Sequence, residues 1–109
     1  MTAKELIENK LPEMFKSQKA KRYNRTIQLD ISGEKGGKWW LEVANQELSI
    51  NPGEKEDAKL LLEISDEDFV ALFTGQVKAM NLVTSKRLVF SGPMTEGIAF
   101  MSLWDIPKP

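Results

Sequence analysis

The feature that most constrains the fold is an alternation of apolar and polar residues in two neighbouring segments. In residues 26–32 every second side chain is apolar, and residues 38–44 repeat the pattern after a glycine-rich link at 33–37. A period of two residues turns one face of a β-strand towards a core and the other towards solvent. Because the link is short, we expect the two strands to pair antiparallel.

Three further segments have the composition of strands. They are residues 47–50, 59–64 and 87–91, each bounded by residues that favour turns. The run of three leucines at 60–62 indicates a strand that is buried on both faces.

Helical spacing is found at the beginning of the chain and in its second half. Thr2 and Glu5 have the spacing of a capping box, and Pro12 is expected to kink the helix or to begin a second short one. Ser65 is the predicted N-cap of a further helix, which Gly75 ends. Residues 77–84 and 94–101 complete the helical segments.

This order of elements predicts an α+β fold. We expect one five-stranded, mostly antiparallel sheet that helices cover on one face. The 109 residues match the usual size of one domain, so residues 1–109 are predicted to fold as a single unit.

The amino-acid content excludes several kinds of function. The chain has no cysteine and no histidine, so it cannot build thiolate sites or a Ser-His-Asp triad. An enzyme would need a lysine or carboxylate base instead. We therefore predict a non-catalytic protein with no cofactor and no metal site, in which the acidic run 66–68 caps a helix. A net charge of −1 makes nucleic acid an unexpected partner.

A basic connector, residues 16–25, holds five cations and no acid. It is either a solvated linker or a patch that transiently contacts an anionic membrane surface or a ligand headgroup. The first residues lack the apolar stretch of a secretory signal, and no run approaches the roughly 20 apolar residues of a membrane span. We expect a soluble, cytoplasmic protein.

Several short runs keep their order and spacing over nearly the whole chain. In the second half they are Ser65-Asp66-Glu67-Asp68-Phe69, Leu72, Thr74-Gly75 and Gly92-Pro93-Met94; upstream they are Leu11-Pro12-Glu13-Met14-Phe15 and Gly37-Lys38-Trp39. Together they resemble the sterol carrier protein type 2 domain. The resemblance implies a five-stranded sheet with an apolar tunnel beneath its helices, which takes fatty acids, acyl-CoA, sterols or other lipids.

The resemblance also implies which residues contact the ligand. Two helical segments, part of the sheet and a closing helix would surround the tunnel. By position, these residues are Phe69, Leu72 and Phe73; Met80, Leu82 and Val83; Leu88 and Phe90 of the sheet; and Met94, Ile98 and Met101 of the closing helix. Methionine suits such a lining because it adapts to irregular apolar shapes.

The chain departs from the family at two turns. The family usually has glycine just before the last strand, where this chain has Lys86. The hairpin after the second strand often carries Asn-Gly, and here it is Asn45-Gln46.

Two hypotheses follow for the apolar second half. The first is a carrier that binds and transfers a lipid or acyl-chain ligand in an internal cavity. The alternative is an interaction module, such as a homodimer, that keeps the fold with a filled cavity. The volume and continuity of the space between the sheet and residues 94–101 distinguish the two hypotheses.

Overall fold

The computed structural model describes residues 1–107. A helical segment opens the chain: α1 (Ala3–Glu5), a π-helical turn (Leu6–Lys10) and α2 (Leu11–Met14). The predicted capping box is present, since the amide of Glu5 donates to Thr2 Oγ1 at 3.1 Å and the amide of Thr2 donates to Glu5 Oε1 at 3.1 Å. Pro12 lies in the first turn of α2, as predicted.

The sheet has the five predicted strands. They are β1 (Arg25–Ser32), β2 (Gly37–Ala44), β3 (Glu47–Pro52), β4 (Leu60–Ser65) and β5 (Leu88–Ser91). Their order is β3-β2-β1-β4-β5, and every neighbouring pair is antiparallel except β1 and β4, which are parallel. The predicted five-stranded, mostly antiparallel α+β fold is confirmed. The parallel central pair arises because the chain crosses the sheet between β3 and β4.

The strand register places the apolar residues on one face. Ile27 of β1 lies between Leu41 of β2 and Leu60 of β4, and all three side chains are buried. Two residues further along β1, Leu29 pairs with Trp39 of β2, and both side chains are buried. We call this side, which carries the core, the inner face.

The outer face is largely polar and carries the crossover. Gln28 is buried there because its side chain bonds the connection from Gly53 to Lys59: its Oε1 accepts from the amide of Lys55 at 2.7 Å, and its Nε2 donates to the carbonyl of Gly53 at 3.2 Å. Trp40 is half-buried on this face, with the Lys55 ammonium 5.2 Å from its ring centre. Of the paired tryptophans, Trp39 therefore belongs to the core and Trp40 to the outer surface.

Three helices complete the fold: α3 (Asp66–Phe73), α4 (Ala79–Thr84) and α5 (Met94–Met101). Ser65 caps α3, because its hydroxyl accepts from the amide of Asp68 at 3.1 Å, as predicted. Gly75, at φ +81°, follows the end of α3 in the left-handed conformation that favours glycine. No helix within residues 1–107 combines the length and the apolar character needed to cross a membrane.

Candidate functional site

The region between the sheet and α5 is built around aromatic side chains. Phe69 and Phe73 of α3 stack with ring centres 4.6 Å apart. Trp104, just beyond α5, lies 6.1 Å from Phe73 and 5.6 Å from Phe100. All four side chains are buried. We call these four residues the aromatic cluster.

Eight of the eleven predicted ligand-contacting residues lie at or near this region. Five are buried: Phe69, Leu72, Phe73, Leu82 and Leu88. Three are half-buried against the core: Val83, Phe90 and Met101. The structure therefore brings these side chains towards the inner face, and their contact with a ligand stays a prediction.

The other three predicted ligand-contacting residues lie on the surface, and their contact with a ligand also stays a prediction. Met80, Met94 and Ile98 are 53%, 55% and 60% exposed, so they lie on the outside of α4 and α5. For Met94 and Ile98 the reason is Gly97, since a Cβ at this position would lie 3.1 Å from the Phe90 ring. The glycine lets α5 approach β5 closely, and this contact turns the opposite side of the helix, with Met94 and Ile98, to solvent.

Sequence reasoning left Phe100 and Trp104 out of the site. Both are buried in the aromatic cluster. Gly97, Phe100 and Trp104 are spaced by three and four residues, which indicates a single helical face. That spacing could have identified the inner side of α5.

An ion pair ties α5 to the beginning of β1. Arg25 donates to Glu96 through Nε at 3.3 Å and through a terminal guanidinium nitrogen at 3.1 Å. The guanidinium carbon lies 5.6 Å from the centre of the Tyr23 ring. Tyr23 is a core residue, and its pKa is raised to about 12 by burial and then by the Glu96 carboxylate.

Two buried polar atoms in this region have no hydrogen-bond partner among residues 1–107. They are the hydroxyl oxygen of Tyr23 and the indole nitrogen of Trp104. Such atoms are uncommon in folded proteins, and each needs a physical explanation.

A scan against protein-family models places the chain among known proteins. Residues 4–105 match the model described as the SCP-2 sterol transfer family. The chain belongs to this family. The resemblance found in the sequence is therefore confirmed.

Relatives of this SCP-2 domain include much longer proteins. The bovine "Hydroxysteroid dehydrogenase-like protein 2" is 34% identical over 79 residues, which are 72% of this chain and 19% of the relative. The chain thus spans about a fifth of the length of that protein.

Solved structures share the fold. The sec-alkylsulfatase Pisa1 from Pseudomonas sp. matches 91% of this chain with 16% of its own, at a TM-score of 0.77 and 15% identity. The palmitated SCP2L2 from Aedes aegypti matches 93% of this chain with 94% of its own, at a TM-score of 0.65 and 14% identity.

Five open pockets among residues 1–107 are not lined by the four residues of the aromatic cluster. One of about 520 Å³ is lined by residues of the chain start, the β1–β2 turn and α3, including Gly33 and Asp66. Four others of about 260 to 430 Å³ lie at the sheet or beside Phe15, and none of the five among residues 1–107 is lined by α4, β5 or α5. The predicted tunnel beneath α5 stays a prediction.

The acidic run at the start of α3 is occupied by protein contacts. Asp66 accepts from the amides of Lys35 and Glu67 at 3.0 and 2.9 Å, and Asp68 pairs with Arg87. Within residues 1–107, no cluster of three or more potential ligands is arranged to hold a metal ion. Asp66 thus accepts backbone hydrogen bonds at the start of α3, and Asp68 forms an ion pair.

Proposed function

We propose that this SCP-2 domain binds an apolar ligand between the sheet and α5 and transfers it without chemical change. The observation that carries the proposal is the family match over residues 4–105, to a family described by sterol transfer. The apolar region on the inner face, with its aromatic cluster and half-buried methionine, supports a ligand of the fatty acyl, acyl-CoA or sterol class.

We propose that α5 moves to admit the ligand, because the buried aromatic cluster occupies this region. The helix has eight residues, and Pro93 at its N-cap provides no side-chain hydrogen bond. Each CH₂ group removed from water contributes about 0.8 kcal/mol, so an acyl chain of roughly 15 carbons gains on the order of 10 kcal/mol. This gain is large enough to offset the displacement of one short helix.

Ligand uptake by delipidated protein tests the proposal. We expect native mass spectrometry to show one bound molecule after incubation with methyl palmitate, palmitate, palmitoyl-CoA or cholesterol, and the melting temperature to rise for whichever ligand binds. The palmitated SCP2L2 of similar fold makes an acyl chain the first choice of ligand. Failure of all four ligands to bind and to stabilise the protein would contradict the proposal.

The ligand is proposed to leave chemically unchanged. The chain has no histidine or cysteine to act as base or nucleophile. The longer relatives are named dehydrogenase-like, but this chain corresponds to about a fifth of such a protein. Mass spectrometry of ligand extracted after long incubation should return only the starting compound. A converted product that scales with protein concentration would indicate an enzyme.

We also propose that the exposed side of α5 contacts anionic phospholipid membranes in the cytoplasm. Met94 and Ile98 are one helical turn apart and point to solvent. The basic connector begins beside the C-terminal end of α5, where the amide of Lys16 donates to the carbonyl of Leu103 at 2.7 Å, and it ends at Arg25, which pairs with Glu96 in the first turn of α5. An apolar helix side beside several cations is complementary to an anionic bilayer, to which each cation contributes about 1 kcal/mol.

Vesicle sedimentation tests this surface. We expect binding to vesicles that contain phosphatidylserine, weakened severalfold by Ile98→Ser and by added salt. Val89→Ser is the matched control, because Val89 is also exposed but lies on the outer face of the sheet. Equal loss in both variants would contradict the assignment, and so would a concentration-dependent dimer that Ile98→Ser dissociates.

A further inference from the structure

We propose that the Tyr23 hydroxyl is the polar contact of the ligand, and that the ligand is an uncharged oxygenated lipid such as an acyl ester or a sterol. The inference rests on the proposed function and adds to it a ligand class and a named contact. It starts from a hydroxyl that is buried without a partner and that lies next to the helix expected to move.

The Tyr23 hydroxyl has no structural role in the ligand-free fold. The residue is 7% exposed, and its hydroxyl makes no hydrogen bond among residues 1–107. A buried hydroxyl without a partner destabilises the folded state, whereas phenylalanine would fill nearly the same space without that penalty. The hydroxyl therefore needs a partner that the protein itself does not supply.

Trp104 has a different explanation for its unpartnered N–H. Its ring lies 5.6 to 6.1 Å from the rings of Phe15, Phe73 and Phe100, and an N–H can interact with aromatic faces. Tyr23 forms no aromatic pair within the described chain, and only the Arg25 guanidinium lies over its ring. Of the two unpartnered groups, Tyr23 is the one that calls for a hydrogen-bonding ligand.

The position of Tyr23 suits a ligand that enters beneath α5. Arg25, which lies over the ring, holds Glu96 in the first turn of α5. The Tyr23 ring therefore lies beneath the ion pair that holds the N-terminal end of α5. A movement of α5 that keeps the Arg25–Glu96 pair would let a ligand reach this part of the core, while the tyrosine stays attached just before β1.

The charges around Tyr23 select an uncharged oxygen. The buried polar side chains within residues 1–107 are Gln28 and Asp68, so no lysine or arginine is buried to neutralise a carboxylate. Arg25 already donates to both oxygens of Glu96, and this carboxylate would repel a second one. The raised pKa of Tyr23 agrees, because the same surroundings disfavour negative charge on its own oxygen. Ester, ketone and alcohol oxygens accept a hydrogen bond without this penalty.

The test compares methyl palmitate, palmitate and hexadecane in wild type and Tyr23→Phe, by displacement of a fluorescent apolar probe. We expect wild type to bind the ester roughly 3- to 10-fold more tightly than the alkane, as one hydrogen bond predicts, and more tightly than the acid at neutral pH. Tyr23→Phe should lose the preference for the ester over the alkane and keep its affinity for hexadecane. Its ligand-free stability should be equal or higher.

The outcomes separate this inference from the proposed function. If none of the three compounds binds wild type, both the proposed function and this inference are wrong. If all bind and Tyr23→Phe keeps the ester preference, or loses ligand-free stability, only the inference is wrong. Trp104→Phe is the matched control, because it removes the other unpartnered donor and should weaken ester and alkane alike; selective loss of the ester there would move the contact to Trp104.

Discussion

At the scale of single residues, three residues other than glycine adopt a positive φ, the backbone conformation that favours glycine. Asn45 and Gln46 have φ +53° and +63° in the turn between β2 and β3, and Lys86 has φ +63° before β5. Gln46 and Lys86 are the positions where the family usually has glycine, whereas Asn45 matches the Asn of its usual Asn-Gly. The backbone geometry is retained although the side chain has changed, which places conformational strain at these turns.

Lys86→Gly is therefore expected to stabilise the protein by about 1 kcal/mol, since glycine adopts the left-handed conformation without steric cost. Urea unfolding measures the change. Lys78→Gly is the control, because Lys78 is exposed but has φ −88° and should give no gain. An equal or larger gain at Lys78 would show that strain is not the cause.

Tyr23 predicts a pH dependence at the same scale. Its pKa is about 12 in the folded protein and about 10 when unfolded. Between these values the unfolded chain loses a proton that the folded protein retains, so this contribution to stability is complete below pH 10 and falls as pH rises towards 12. The loss is at most about 1.4 kcal/mol per pH unit. Urea unfolding from about pH 9 upwards should show a smaller decline in Tyr23→Phe than in wild type; parallel declines would contradict the raised pKa.

At the scale of elements, α5 is positioned by one close contact. Gly97 of α5 faces the ring of Phe90 in β5. The ring centres of Phe90 and Phe100, which lies on α5, are 6.4 Å apart. The eight-residue helix carries apolar residues on both sides, so its composition alone does not select the buried one. The absence of a side chain at Gly97 decides which side approaches the sheet.

Gly97→Val is expected to lower the free energy of unfolding by about 1–3 kcal/mol, because the branched side chain meets the Phe90 ring. Thr95→Val, an exposed change on the same helix, should have little effect. Denaturant unfolding of both variants gives the comparison. The same loss in both would point to helix propensity, and the close contact with β5 would then be unimportant.

At the scale of the whole molecule, the crossover between β3 and β4 creates the parallel central pair. The chain leaves edge strand β3, passes over the outer face and enters β4 beside β1. Gln28 attaches this connection through the amide of Lys55 and the carbonyl of Gly53, and it also donates to the carbonyl of Trp39 at 3.2 Å. One buried amide thus links three parts of the chain.

Gln28→Met keeps the length of the side chain and removes these hydrogen bonds, so we expect a loss of about 2 kcal/mol in stability. The amide of Lys55 should exchange with solvent faster, which hydrogen exchange measures directly. Gln76→Met, at an exposed position, is the control. Unchanged exchange at Lys55 would show that the crossover is held by other contacts.

The local sequence determined the elements of this protein. The period-two alternation predicted the strands, Thr2 and Ser65 predicted helix starts, and Gly75 predicted a helix end, because each signal acts through the backbone within a few residues of itself. The family resemblance was also present in the order of these short runs, and the match over residues 4–105 confirmed it.

Contacts between distant segments decided the rest. The parallel pairing of β1 with β4 depends on where the crossover runs, and the exposure of Met94 and Ile98 depends on a ring that β5 places against Gly97. Tyr23 became a candidate contact only when folding buried its hydroxyl without a partner. Helical or strand periodicity reports which residues share a face, but the surface that this face meets is set by packing between elements far apart in the chain.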